Sequence, residues 1–89
     1  MFTSWGVETS KKFTKEKIAA VLDKFDEDDS LGTVLRAKGI VEAEDGSWIH
    51  FDYVPGEPDL RTGSAGITGR LCVIGSKLAE KEIAGLFGV

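Results

Sequence analysis

Cysteine and histidine are almost absent from this sequence, which contains one of each, Cys72 and His50, in 89 residues. A lone cysteine cannot form a disulfide within the chain, which is typical of a reducing compartment. A structural zinc site needs three or four nitrogen or sulfur ligands, so two residues are too few. A Cys–His catalytic pair would need both residues on one face and a third group to orient the histidine, and no such group is evident. Because Cys72 alternates within an apolar stretch, we expect it to be a small buried hydrophobic residue. Because the sequence has too few nitrogen and sulfur ligands, we expect no metal site.

Long apolar runs and an excess of basic residues are missing as well. No segment approaches the ~20 apolar residues that span a bilayer. The N-terminal sequence MFTSWGVETSKK lacks the basic-then-apolar order of a signal peptide. The net charge is −4, and the 11 lysines and arginines are scattered rather than gathered into the basic stripe that nucleic-acid binding usually shows. The sequence therefore predicts a cytoplasmic protein with no nucleic-acid or membrane partner.

Nucleotide-binding and calcium-binding motifs are also lacking. The P-loop pattern GxxxxGKS/T does not occur, and the glycine-rich stretch GSAGITGR precedes a predicted strand, so we interpret it as a loop. The acidic run DEDD lacks the alternation and the central glycine of a calcium loop, and we interpret it as the solvated end of a helix. We therefore expect no catalytic residues, no cofactor and no GTP binding in this chain.

The sequence does contain several short strands, enough for a single domain over residues 1–89. Alternating or continuous apolar residues predict strands at Phe2–Glu8, Thr33–Ala43, Ser47–Val54 and Arg70–Gly75. The stretch between the last two holds both prolines and is expected to be rich in turns, with a short edge segment around Asp59–Thr62.

Two amphipathic helices complete the predicted fold. The first is expected at Thr14–Glu27, with Thr14 as the N-cap and Phe13 packed onto Ile18. Its buried stripe is Ile18, Val21, Leu22 and Phe25. The second is expected at Ala79–Phe87. The predicted class is α+β: an antiparallel sheet of about four strands with two helices on one face, in the order β-α-β-β-β-α.

The central hairpin can adopt two registers around its EDG turn. A two-residue Asp-Gly turn would leave both faces chemically mixed, whereas a three-residue loop with Gly46 in the left-handed conformation would pair Val41 with Ile49. A slip of one residue moves every side chain to the other face, so the register that separates apolar from polar residues is predicted. Its apolar face consists of Leu35, Ala37, Gly39, Val41, Ile49, Phe51 and Tyr53. The small residues Ala37 and Gly39 should leave room for a helix.

The other face of this hairpin is polar, and three interpretations of it are open. Its residues are Arg36, Lys38, Ile40, Glu42, Trp48, His50 and Asp52. It could be a solvated sheet face with cross-strand ion pairs such as Lys38–Asp52. Alternatively, Arg36, Lys38, Trp48 and His50 form a contact surface for a protein partner, since Trp and Arg are favoured at interface centres. Thirdly, the segment Glu57–Thr68 could fold over the face and make Trp48 a structural residue.

Four stretches of the sequence resemble the C-terminal domain of CobW-type GTPases. They are FTSW at residues 2–5, VLRAKGIV at 34–41, SWIHFDYVPG at 47–56 and GRLCVIGSKL at 69–78, and together they extend the resemblance over almost the whole chain. Members of that family are P-loop GTPases linked to metal delivery, in cobalamin biosynthesis, zinc homeostasis or the activation of metalloenzymes such as nitrile hydratase. The resemblance places the nucleotide site and the cysteine-rich metal motif in a separate N-terminal domain.

The resemblance implies an accessory domain whose role is partner recognition. GTP, Mg and Zn or Co are implied only for the full-length family, and the implied partners are the N-terminal GTPase domain, a client metalloprotein or another copy of the chain. The alternative function is a small-molecule-sensing regulatory domain of ferredoxin-like shape. That alternative requires a strand after the second helix, and the sequence ends at Val89 without one.

Overall fold

Five strands and two helices follow one another in the order β1-α1-β2-β3-β4-β5-α2, and the computed structural model describes all 89 residues. The strands are β1 (Thr3–Thr9), β2 (Thr33–Glu42), β3 (Trp48–Val54), β4 (Glu57–Gly63) and β5 (Gly69–Ser76), and the helices are α1 (Lys15–Glu27) and α2 (Glu80–Phe87). The strands form one antiparallel sheet in the order β1-β5-β2-β3-β4, and both helices pack on the same face of it. This confirms the α+β class. Neither helix has the length and the apolar character needed to cross a bilayer.

The sheet has one strand more than predicted, because the expected edge segment is a full strand. A tight turn with Gly56 at φ +78° closes a second hairpin, so that β4 pairs with β3 along its entire length. Leu60, opposite Phe51, is the one half-buried residue of β4 and packs against the core. Pro58 is tolerated because β4 is an edge strand. The order is therefore β-α-β-β-β-β-α, and the predicted four-strand arrangement was wrong.

The register predicted for the central hairpin is confirmed. Val41 lies opposite Ile49, and Gly46 adopts a positive φ of +90° in the turn. One expected core residue was wrong: Leu35 is 37% exposed, while Val34 is 4% exposed. The pairing of β2 with β5 contains an irregularity between residues 34 and 36, and this bulge shifts the alternation by one position.

The predicted space beside Gly39 is filled by an aromatic ring rather than by a helix. A Cβ atom at Gly39 would overlap the ring of Phe51 on the neighbouring strand. That ring stacks in turn on Phe87 of α2, with ring centroids 6.2 Å apart. Phe87 also lies 5.9 Å from the Trp5 ring and 6.3 Å from the Phe25 ring. This aromatic cluster joins α2 to both α1 and the sheet.

Helix α1 follows its predicted N-cap, Thr14, and ends at the predicted residue, Glu27. Thr14 accepts a hydrogen bond from the Lys17 N–H at 3.1 Å, and the expected apolar stripe is buried. The acidic run at its end is more than a solvated terminus, because Asp26 accepts hydrogen bonds from the Tyr53 hydroxyl at 2.5 Å and from the Gly56 N–H at 3.0 Å. These contacts lower the pKa of the Asp26 carboxyl, with the Tyr53 hydrogen bond as the largest cause. Burial, and secondarily the hydrogen bond to Asp26, raises the pKa of Tyr53 above its ordinary value.

Candidate functional site

The face of the sheet opposite the helices, here called the open face, has no helix packed on it. It carries all four residues predicted as a contact surface: Arg36, Lys38, Trp48 and His50. Arg36 and Lys38 are exposed, while Trp48 and His50 are half-buried. Arg36 lies opposite Val54 by extension of the register, and Trp48 lies opposite Glu42. Six residue steps therefore separate the two along the strands, or about 20 Å. The four residues share a surface without forming one tight cluster.

An arginine network replaces the predicted Lys38–Asp52 ion pair. Lys38 does lie directly opposite Asp52 in the register. The Asp52 carboxylate is instead bound from two diagonal positions, by Arg36 at 3.6 Å and by Arg61 of β4 at 3.1 Å. Arg61 also contacts Asp59 at 2.7 Å. A guanidinium presents several donors in a planar fork and can bridge two carboxylates, which an ammonium group does less well. Each pair is partly exposed, so each contributes only about 0–1 kcal/mol.

The loop after β4 covers one end of the open face. Nε2 of His50 lies 2.8 Å from the carbonyl oxygen of Ser64, so the ring N–H donates to it. The absence of a side chain at Gly63 makes space for the imidazole, since a Cβ there would lie 2.5 Å from the ring. A Cβ at Gly66 would lie 3.5 Å from the Trp48 ring. The segment 64–66 therefore shields part of Trp48 and His50, while residues 57–63 lie in the plane of the sheet. The third interpretation, in which the segment Glu57–Thr68 folds over the face, is therefore wrong for residues 57–63.

Cys72 lies on the open face, not in the core as expected. It is half-buried, opposite Gly6 on one side and Lys38 on the other, whereas Leu71 and Val73 beside it are buried. Cys72 shares this face with His50, but β2 lies between their strands. Two strand spacings amount to about 10 Å, so the two side chains do not form a nucleophile–base pair.

A shallow depression of about 440 Å³ lies at the centre of the open face. Its polar and apolar lining includes Lys38, Ile40, His50, Arg61, Arg70 and Cys72. Sequence reasoning missed Arg61 and Arg70. Arg70 could have been found from the alternation of β5, because it is two residues from Cys72 and therefore on the same face. Arg61 lies within the predicted edge segment Asp59–Thr62, but its face could not be assigned, since the register of that segment against β3 was not predicted. No group of three or more His, Cys, Asp or Glu residues in the structure could hold a metal ion.

The architecture defines a small α+β domain with a five-stranded antiparallel sheet, one face under two helices and the other polar and open. A family model described as the cobalamin synthesis protein cobW C-terminal domain matches residues 2–88. The chain belongs to this family.

Two solved structures share the fold. A Zn(II)-bound triple mutant of the YjiA GTPase superimposes with a TM-score of 0.80 at 20% sequence identity. Zn(II)-bound YjiA GTPase from E. coli superimposes with a TM-score of 0.75 at 22% identity. In both cases the match covers 98% of this chain and 29% of the YjiA chain, so this chain spans less than a third of their length. No curated protein sequence matches the chain.

Proposed function

We propose that this chain is the accessory, partner-recognition domain of a CobW-like, GTP-dependent metal-delivery protein that serves cobalamin biosynthesis or zinc and cobalt homeostasis. Family membership supports the GTPase context. The observation that carries the recognition role is the open face, where a half-buried tryptophan and several cations lie on a sheet surface that no helix covers. In this proposal the chain has no nucleotide site of its own, and GTP, Mg and Zn or Co belong to the remainder of the full-length protein.

The proposed contact residues are Arg36, Lys38, Trp48 and His50. Tryptophan and arginine are enriched among the residues that contribute most to binding at interfaces. The proposed partners are the N-terminal GTPase domain, a client metalloprotein or another copy of this chain. A GTPase domain is the first to test, because a change of its nucleotide state can be imposed in the experiment.

The test is a binding titration against the GTPase domain of a CobW-type protein, loaded with GTP or with GDP in the presence of magnesium. Arg36→Ala and Trp48→Ala should each weaken binding by about 1 kcal/mol or more. Lys81→Ala is the matched control, because Lys81 is exposed on α2, away from the open face. Thermal unfolding of each variant separates weakened binding from lost stability. Equal affinity of all variants for a domain that does bind would refute the contact surface.

Cys72 provides a second readout without any substitution, since it is the only thiol of the chain and lines the central depression. A bound partner should slow its alkylation by iodoacetamide, and an unchanged rate at saturating partner would argue against this face. GTP and magnesium alone should neither slow alkylation nor give a calorimetric Kd tighter than about 100 μM, which corresponds to about −5.5 kcal/mol. Tighter binding would refute the absence of a nucleotide site.

A further inference from the structure

The sheet has two edges, β1 and β4, and they differ in their protection against pairing with a further strand. Strand β4 has a proline, Pro58, and three charged residues within seven positions: Glu57, Asp59 and Arg61. Proline and charge on an edge strand are devices by which proteins prevent edge-to-edge association. Strand β1, with the sequence TSWGVET, has no proline and only one charged residue, Glu8. It pairs with β5 in unbroken register over all seven residues, so no bulge turns this edge away.

The outer side of β1 presents backbone groups without a hydrogen-bond partner in the chain. In an antiparallel ladder, alternate residues direct both their N–H and their C=O toward a given neighbouring strand. Because β1 has a neighbour, β5, on one side only, the backbone groups of the remaining residues point outward. Outside the ladder with β5, no backbone group of residues 3–8 takes part in a hydrogen bond. Such a row of donors and acceptors is completed by one kind of ligand, an extended polypeptide that adds a strand.

The sequence of β1 is complementary to a second copy of itself. Two copies related by a twofold axis at Gly6 run antiparallel and pair all seven residues of the strand. The opposed residues are then Trp5 with Val7, Ser4 with Glu8 and Thr3 with Thr9. A slip of one residue would oppose outward-pointing to inward-pointing backbone groups and would place the helices of the two copies on opposite faces. A slip of two residues would leave five residues paired instead of seven.

The charges and the exposed surface of β1 agree with this pairing. Glu8 lies opposite Ser4 of the other copy, so no like charges face each other across the two strands. Trp5 and Val7 pack against the core but are only half-buried, so α2 does not close over them. Each would cover the other across the new interface. The two strands would exchange about six to eight backbone hydrogen bonds, because three or four residues of each point outward. A typical protein–protein interface has about ten.

We propose that two copies of this domain associate through their β1 edges, as a twofold dimer in which two five-stranded sheets become one continuous sheet. The helices of both copies lie on one face of this sheet, and both open faces lie on the other. The interface is small, so the dimer is expected to be weak, with a Kd in the micromolar to millimolar range. The inference goes beyond the proposed function, because it concerns the β1 edge and leaves both open faces free for a partner.

Sedimentation equilibrium from micromolar to millimolar concentration tests for association. The mass should rise with concentration from 9.6 kDa toward twice that value. Hydrogen exchange at the highest concentration should be slowed at the outward-pointing amides of β1 and unchanged at those of β4. A mass of 9.6 kDa throughout, or protection of β4 instead of β1, overturns the proposal.

Substitutions at Ser4 test the register, because Ser4 is exposed and would lie opposite Glu8 of the other copy. Ser4→Glu opposes like charges at two symmetric positions and should weaken association about threefold or more, whereas Ser4→Lys should strengthen it by a similar factor. Thr62→Glu and Thr62→Lys make the same charge changes at an exposed position of β4 and should alter the Kd less than about twofold. Thermal unfolding establishes that each variant is folded. Equal effects at Ser4 and Thr62 overturn the proposal, since the total charge then explains them.

Isotope-filtered NMR on a mixture of labelled and unlabelled chains identifies what covers the edge. Contacts are expected between the Trp5 ring of one copy and the Val7 methyl groups of the other. If the GTPase domain of a CobW-type protein protects the β1 amides while the chain alone remains monomeric, the edge binds a foreign strand and the second copy is the wrong occupant.

The same measurements separate this inference from the proposed function. If Trp48→Ala weakens self-association while the Ser4 variants do not change it, the copies meet on the open face; this inference is then wrong, and the proposed contact surface is supported. If the dimer forms as described and the open face binds no partner, the inference holds and the proposed function fails.

Discussion

The close approach between Gly39 and Phe51 predicts that the ordinary effect of a glycine-to-alanine substitution is reversed at this position. In an unhindered strand, replacing glycine by alanine raises the free energy of unfolding by about 0.5–1 kcal/mol, because the alanine chain has less conformational freedom to lose on folding than the glycine chain. At Gly39 the new methyl group would overlap the Phe51 ring and would lie 2.8 Å from the carbonyl oxygen of Arg70. Overpacking of a core costs about 1–3 kcal/mol. Gly39→Ala should therefore destabilise the domain by a net amount of about 1–2 kcal/mol.

Thermal and urea unfolding measure this effect, which corresponds to a fall in Tm of roughly 4–16 °C for a domain of this size. Two matched controls carry the same chemical change. Gly85→Ala on α2 meets nothing within 4 Å and should stabilise, while Gly6→Ala meets only a carbonyl oxygen at 3.4 Å and should be nearly neutral. Phe51→Leu combined with Gly39→Ala should show a favourable interaction energy of at least about 0.5 kcal/mol. A Gly39→Ala variant as stable as the parent would refute the packing argument.

Three further predictions concern the bulge and the Tyr53–Asp26 contact. Val34→Ala should lower the free energy of unfolding by about 1.5 kcal/mol, because it removes two buried carbon groups, whereas Leu35→Ala should lower it by less than about 0.5 kcal/mol. Urea unfolding that gave the opposite order would contradict the bulge. The pKa of Asp26 is lowered in the folded state, so the contribution of its carboxylate to stability is present above the unfolded pKa and is lost as pH falls through the folded pKa. Asp26→Asn should therefore reduce the slope of the unfolding free energy against pH between about pH 5 and pH 2. An unchanged slope would contradict this. The pKa of Tyr53 is raised, so the contribution of its hydroxyl to stability is present below the unfolded pKa of about 10 and is lost as pH rises through the folded pKa. Because Tyr53 is the only tyrosine of the chain, an ultraviolet titration reports on it alone and should show no tyrosinate in the folded protein near pH 10.

The elements that sequence reasoning predicted correctly are those whose pattern is local. The stripe and cap of α1 and the register of the β2–β3 hairpin depend on residues close together in the chain, and a slip of Val41 from Ile49 would have exposed an entire apolar face. The bulge at Leu35 could not be predicted in this way. It arises in the pairing of β2 with β5, a strand more than 30 residues further along the chain.

The candidate site was predicted in part for the same reason. Trp48 and His50 were assigned to the correct face because their own hairpin fixes the alternation. Strand β4 was underestimated because Pro58 and its charged neighbours hide a pattern in which Leu60 alone packs against the core. Arg61 lies within the predicted edge segment, but only the register of β4 against β3 places it beside Asp52. Without that register, the expected partner of the Asp52 carboxylate is Lys38, which lies opposite it. The wrong prediction of a buried Cys72 has a different cause. The sequence itself shows that Cys72 alternates with Leu71 and Val73 along β5, which already places Cys72 on the face opposite to theirs.

The position of β5 in the sheet imposes an order of assembly on the chain. Strands β2, β3 and β4 are joined by tight turns and pair with their immediate neighbours in sequence. Strand β1 pairs only with β5, the fifth strand of this sheet in chain order. Residues 3–9 therefore leave the ribosome with no strand to pair with until residue 76 has followed, and the hydrogen bonds of this edge are among the last that the growing chain can close.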